Sequence, residues 1–278
     1  MKRAFFFVLV ALAGCRRSQT EQEVRGRIVS EWLDGAAEVV RITNDPEARE
    51  ILEHMKKGSF LARPDSFNDI RALEDVPPST SYRLALVPLL ERDRKLSSYW
   101  QASVDSDSHA TFRPYPNNVG AITFRENKRI SPPLKGVILL HEGKHVEIHV
   151  RRELGELERK DPSVAAAIDE YRTTQFESRL VILLGGEKYL QQLQKGAEIL
   201  EKELRKTGTV KFEQPWFRTE LRELFPPPYT DGDLEILQQL AWVSSFMIAC
   251  ENYFGDDEGA ASETKYLFFR RYYEQDDR

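Results

Sequence analysis

Between Ser131 and Val146 the chain reads Ser-Pro-Pro-Leu-Lys-Gly-Val-Ile-Leu-Leu-His-Glu-Gly-Lys-His-Val, and no other stretch constrains the fold as much. Ser131 can cap the first free amides of a helix, and Pro132 suits the first helical position, where its missing N–H costs nothing. The apolar run Val137 to Leu140 suits a buried helix. On such a helix His141 and His145 lie roughly 40° from each other about the axis and roughly 6 Å apart at Cβ. Both imidazoles can then reach one tetrahedral metal ion. Glu142 stands beside any water that ion holds and is a candidate general base.

A catalytic zinc site takes three protein ligands and leaves one position open. His149 continues the four-residue spacing, but eight residues of straight helix put it about 12 Å along the axis from His141. It reads as a surface group, or as one that faces a substrate or backs the ligands, more readily than as a ligand. The next helix offers Glu170 and Glu177 within Asp169 to Ser178. Seven residues apart, they share a face, so that one can ligate while the other orients an imidazole N–H. A tight hairpin about residue 161 would set Glu177 opposite His145. Both acids stay open as the third ligand.

This His-Glu-x-x-His pattern followed by an acid-bearing helix resembles the gluzincins, metallopeptidases whose third zinc ligand is a glutamate on the helix after the motif. Their ligand glutamate often begins a run of the type Glu-Tyr-Phe-Ala-Glu-Ala-Phe, which Glu170-Tyr-Arg-Thr-Thr-Gln-Phe176 matches in part. The resemblance covers about residues 118–180 and is strict at His141, Glu142 and His145. It implies Zn2+ held by His141, His145 and Glu170, with Glu177 as the alternative, and Glu142 as the base that takes the proton of the attacking water. It implies a peptide or protein substrate and a predominantly helical α+β fold of zincin type, with a small sheet whose edge strand lies beside the active helix. Glu177, His149 and Tyr171 would back the ligands or face the substrate. Tyr171, Arg172, Tyr229 and Tyr253 are candidates by residue type to stabilise an oxyanion. The chain departs from the family at Gly143 and Lys144, because zincins usually carry uncharged residues at both inner positions. Gly143 weakens a helix by roughly 1 kcal/mol relative to alanine, and Lys144 must point away from a dication or stay in solvent. The alternative function is a catalytically inactive zincin scaffold with a binding or assembly role.

The chain starts with Met-Lys-Arg and an apolar run ending in Leu12-Ala-Gly-Cys15, too short to span a membrane stably. It resembles a bacterial lipoprotein signal with its lipobox. That resemblance implies removal of residues 1–14, a lipid on Cys15 and a place in the cell envelope. Arg16 after the cysteine, in place of Asp, points to the periplasmic face of the outer membrane in a Gram-negative cell. Cys250 would then be the only other cysteine, which rules out an intramolecular disulfide. Loss of Lys2 and Arg3 takes the formal charge from −5 to −7, which gives no support for nucleic-acid binding. No second apolar stretch reaches the ~20 residues of a span; Leu234 to Ala249 contains Glu235, Gln238 and Gln239.

Residues 15–25 read as a lipidated tether and 26–278 as a single metallopeptidase domain, with a mixed α/β lobe over 26–130 and a helical lobe over 131–278. The patterns predict helices over Arg27–Ile42, interrupted at Gly35, and over Pro46–Lys57. Pro64–Ser81 reads as loop, and Tyr82–Leu90 as a strand whose later half Pro88 demotes. Ala110–Tyr115 and Val119–Glu126 form a hairpin, and the strand just before the metal helix is the expected edge that an extended substrate would join. The active helix is expected over Ser131–Lys160. A second runs from Asp161 to Leu184 and stops at Gly185-Gly186. A third spans Glu187–Lys206, with Leu190, Leu193, Ala197, Leu200 and Leu204 on its core side. Asp231–Tyr253 and Ser262–Tyr273 close the chain as helices.

Overall fold

A computed structural model of the chain describes residues 20–62, 83–90, 93, 109–115, 119–208 and 218–254. The expected signal with Cys15, the loop over 64–81, the segment around Trp216 and Phe217, and the last helix lie outside the described residues. The fold is α+β and mostly helical. Its elements are α1 (Glu21–Thr43), α2 (Pro46–Gly58), β1 (Ser59–Leu61), β2 (Arg83–Leu89), β3 (Ala110–Tyr115) and β4 (Val119–Arg125), then α3 (Pro132–Val150), α4 (Gly155–Lys160), α5 (Pro162–Thr207), α6 (Arg218–Leu224) and α7 (Asp231–Phe254).

Helix α1 starts earlier than the composition suggests and claims part of the expected tether. Thr20 and Glu23 form a reciprocal capping box. One turn later Arg25, only 2% exposed, donates to both carboxylate oxygens of Asp93 and to the Pro88 carbonyl. A polar run therefore folds because its arginine finds a buried acid. Gly35 does not interrupt α1. It is the point where α1 crosses α3: a Cβ there would stand 2.1 Å from the Pro132 carbonyl oxygen, and one on Gly136 would stand 2.3 Å from the Gly35 backbone. Two glycines let the helix backbones touch, and any larger side chain would push them apart. Asp45 then caps α2, accepting from the Ala48 N–H at 2.9 Å.

The four strands run in the order β1-β2-β4-β3, with β1, β2 and β4 parallel and β3 antiparallel to β4. Pro88 does not end β2, which continues to Leu89. Alternate residues of β2 feed two apolar layers: Leu84 and Leu86 face the main helical core, while Ala85, Val87 and Leu89 pack with Ala62 and Ala121 on the other side. Trp32 of α1, wholly buried, lies against Phe124 of β4 with ring centroids 5.0 Å apart. The strand expected to be the edge is thus interior, and among the described strands the edge beside α3 is β3. Arg125 N–H donates to the His109 carbonyl, so odd-numbered β3 residues face β4 and Ala110, Phe112 and Pro114 turn their main-chain groups outward.

The expected single helix from Ser131 to Lys160 is two. Ser131 caps α3 and Pro132 opens it, as the pattern requires. The helix ends at Val150, where Arg152 adopts φ +53° and the chain turns into α4. Asp161 caps α5 through the Val164 N–H at 3.1 Å. Gly186, at φ +71°, breaks the helical dihedrals where the sequence places a stop, so α5 is two helical segments joined at a kink. The stripe on its second half is buried at Leu193 in the main core and at Ala197, Leu200 and Leu204 against Trp242, Phe246 and Met247 of α7. Asp233, fully buried at the start of α7, accepts from the Ser131 and Thr230 N–H groups and so fixes the start of the helix that carries the histidines.

Candidate metal centre

Helix α3 presents three different faces. Gly143 lies where α3 meets α2, and a Cβ there would stand 2.5 Å from Ile51 Cγ2, so close packing accounts for the glycine. Lys144 turns away from the histidines but not to solvent. Its side chain is 12% exposed, and its ammonium lies 2.6 Å from Glu47 and 2.9 Å from Glu147. The third face carries His141 and His145 toward α5, with ring centroids 5.0 Å apart and edge to face.

On α5, Glu170 faces the outer nitrogens of both rings, 3.9 Å from His141 Nε2 and 3.4 Å from His145 Nε2. One donor atom from each of His141, His145 and Glu170 lies within 4.8 Å of the other two. The inner nitrogens are already engaged. His141 Nδ1 is 3.0 Å from Glu177 Oε2, and His145 Nδ1 is 3.0 Å from Asp169 Oδ2 and 3.3 Å from Thr173 Oγ1. Thr173 in turn donates to the Asp169 carbonyl, so its oxygen is free to accept from the ring. With Nδ1–H groups donating to acids, loss of the Nε2 proton would leave each ring's lone pair directed to the same space, the tautomer that a metal ion needs.

Glu177 therefore backs His141, and Thr173, not Glu177, stands opposite His145. The expected hairpin pairing is shifted because the chain turns at Arg152 and inserts α4 before α5 begins. Asp169 and Thr173 are missed by the sequence reading, although Asp169, Glu170, Thr173 and Glu177 recur at helical spacing on one face. That recurrence is the signal that could have found them.

Burial opposes charge on His141, but Glu177 and then Glu170 outweigh it and hold the ring's pKa up to about 9. The same contest, decided by Asp169 and Glu170, holds His145 well above its ordinary value. Without a cation the acids thus keep protons on the rings, and any metal ion would have to displace those protons. Glu142 is 7% exposed, and burial pushes its carboxyl pKa up while the two histidines pull the other way. It accepts the backbone N–H of Phe112, which joins it to the edge strand β3. His149 stands on that side too, its ring 6.0 Å from Phe112, and is not among the grouped donors.

The remaining expected residues have other places. Tyr171 is buried in the α5–α7 core, its hydroxyl directed to Glu251 at 3.5 Å. Arg172 pairs with Glu153 at 3.0 Å. Tyr229 packs on Phe225, and Tyr253 lies under the Arg205 guanidinium. Comparison of the chain with protein-family models, with curated proteins and with solved structures found no match.

Proposed function

We propose that this protein is a lipid-anchored, zinc-dependent hydrolase of the gluzincin kind that cleaves peptide bonds. The observation that carries this reading is the two-tier arrangement around His141 and His145: three donors converge, and a carboxylate stands behind each ring. The donor set, two imidazoles and one carboxylate from adjacent helices, suits zinc. His141, His145 and Glu170 would hold it, with Glu177 and Asp169 fixing the rings. Zinc would supply a Lewis acid that polarises the scissile carbonyl and makes water a better nucleophile at neutral pH.

The chain's own part lies with Glu142 and β3. β3 sets the Phe112 N–H on the Glu142 carboxylate, and a peptide laid beside that carboxylate would bring its scissile carbonyl within reach of it. A raised carboxyl pKa suits a group that takes a proton from the attacking water and returns it to the leaving amine. Lys144, which would disturb a dication if it faced inward, is spent on Glu47 and Glu147. The N-terminal signal supports anchoring through Cys15 in the cell envelope. Among the described residues no helix is long and apolar enough to cross a membrane.

The test is hydrolysis of a mixed peptide library by the wild-type protein and by Glu142→Gln, with zinc content measured on both. We expect the variant to keep its metal and lose turnover by about 10²–10⁴-fold. Equal turnover in the two proteins refutes the catalytic reading. Mass spectrometry of the membrane-extracted N-terminus should find an acylated Cys15, and Cys15→Ser should release the protein from the membrane fraction.

A further inference from the structure

On the opposite side of α3 from the front histidines, Glu147 meets α2. Glu50 and His54 are four residues apart on α2 and so share a face. One donor atom from each of Glu50, His54 and Glu147 lies within 4.8 Å of the other two. Glu147 differs from a surface acid: its side chain is 4% exposed, and each of its oxygens lies against a cationic side chain. Its other oxygen takes the Lys144 ammonium at 2.9 Å. The space between the carboxylates is held by one cation of the chain, the Arg151 guanidinium, 3.0 Å from Glu50 Oε1 and against Glu147 Oε1.

Arg151 is 47% exposed and sits at the end of α3, where the helix gives way to a turn. An exposed guanidinium of this kind adds little and swings away readily. A compact dication with an imidazole and two carboxylates to bind would replace it, taking over the Glu50 and Glu147 oxygens that the guanidinium holds. We propose that Glu50, His54 and Glu147 form a second divalent-metal site, separate from the front centre, that ties α2 to the end of the active helix with Arg151 as its resident competitor.

The experiment is metal analysis after equilibrium dialysis of the untagged mature protein against zinc, with wild type, His54→Ala, Glu50→Gln, His141→Ala and Arg151→Ala side by side. His54→Ala and Glu50→Gln replace exposed groups and should fold as wild type does; both should hold one zinc fewer than wild type. Arg151→Ala should bind the rear ion more tightly, by up to about fivefold, the worth of an exposed ion pair. If His54→Ala keeps every equivalent, or Arg151→Ala does not strengthen binding, the second site is refuted. If His54→Ala loses an equivalent and His141→Ala loses none, the rear site stands and the front assignment falls.

Discussion

Two clusters of nearly the same composition stand on opposite sides of α3, and they differ in what lies behind the donors. At the front, His141 and His145 each have a carboxylate on the inner nitrogen, and Glu170 reaches the outer nitrogens of both. At the rear, Glu50 and Glu147 are bridged by Arg151, and the lone histidine sits on an exposed turn of α2. Donor type and spacing are alike in the two. At the front the acids hold protons on the two rings, whereas the rear carries a cation of the chain, Arg151, between its carboxylates. Groups behind the ligands, more than the ligands themselves, decide how well a site is prepared for metal.

The largest test of this contrast is the Glu142→Gln experiment, because it removes the one front group that no metal-holding role explains. Next come the backing acids. Glu177→Gln and Asp169→Asn should each weaken zinc binding at the front by about 10–100-fold, read by competition with a chromogenic chelator. At the rear the sign is opposite, since removal of Arg151 should strengthen binding. If the two acids prove silent, the contrast drawn above is wrong.

The packed face should respond in stability and not in metal affinity. Gly143→Ala gains about 1 kcal/mol of helix propensity but forces a methyl against Ile51, which costs about 1–3 kcal/mol. A net loss of about 1 kcal/mol in urea unfolding is expected, with zinc affinity held within about twofold.

The smallest effect belongs to Glu47, between Lys144 and Arg179. Burial raises its pKa, but the hydrogen bonds from Arg179 and then Lys144 prevail and hold it below its ordinary 4.5. A carboxylate depressed in the folded state stabilises the fold above its unfolded pKa, and that support fades as pH falls through the lower folded value. Glu47→Gln should therefore be less stable than wild type near neutrality by no more than about 1 kcal/mol, with the gap closing as pH falls through and below the ordinary glutamate value.

Much of the front centre was legible because helices obey a fixed period. The cap at Ser131-Pro132, the histidines four apart and the acids on the following helix are local facts, and the structure places them where the period requires. Local rules misread Gly35 and Gly143 as weak points, since their value lies in a neighbouring helix that the pattern does not contain. Pro88 misled for a related reason: its strand is held by partners far away in sequence. The tether was misjudged because Arg25 looks solvated until Asp93 is beside it. The turn at Arg152 carries no Pro or Asn to announce it, and that turn moved Glu177 from His145 to His141.

The sequence by itself determined which side chains α3 offers and on which of its sides, because rise and twist per residue are properties of the backbone. Only the tertiary structure decided which acid meets which ring, that β4 lies between β2 and β3, and that Lys144 is turned away. These outcomes depend on how α5 and the described strands dock on α3, and docking is set by long-range packing of glycines, apolar layers and buried ion pairs that no local spacing encodes.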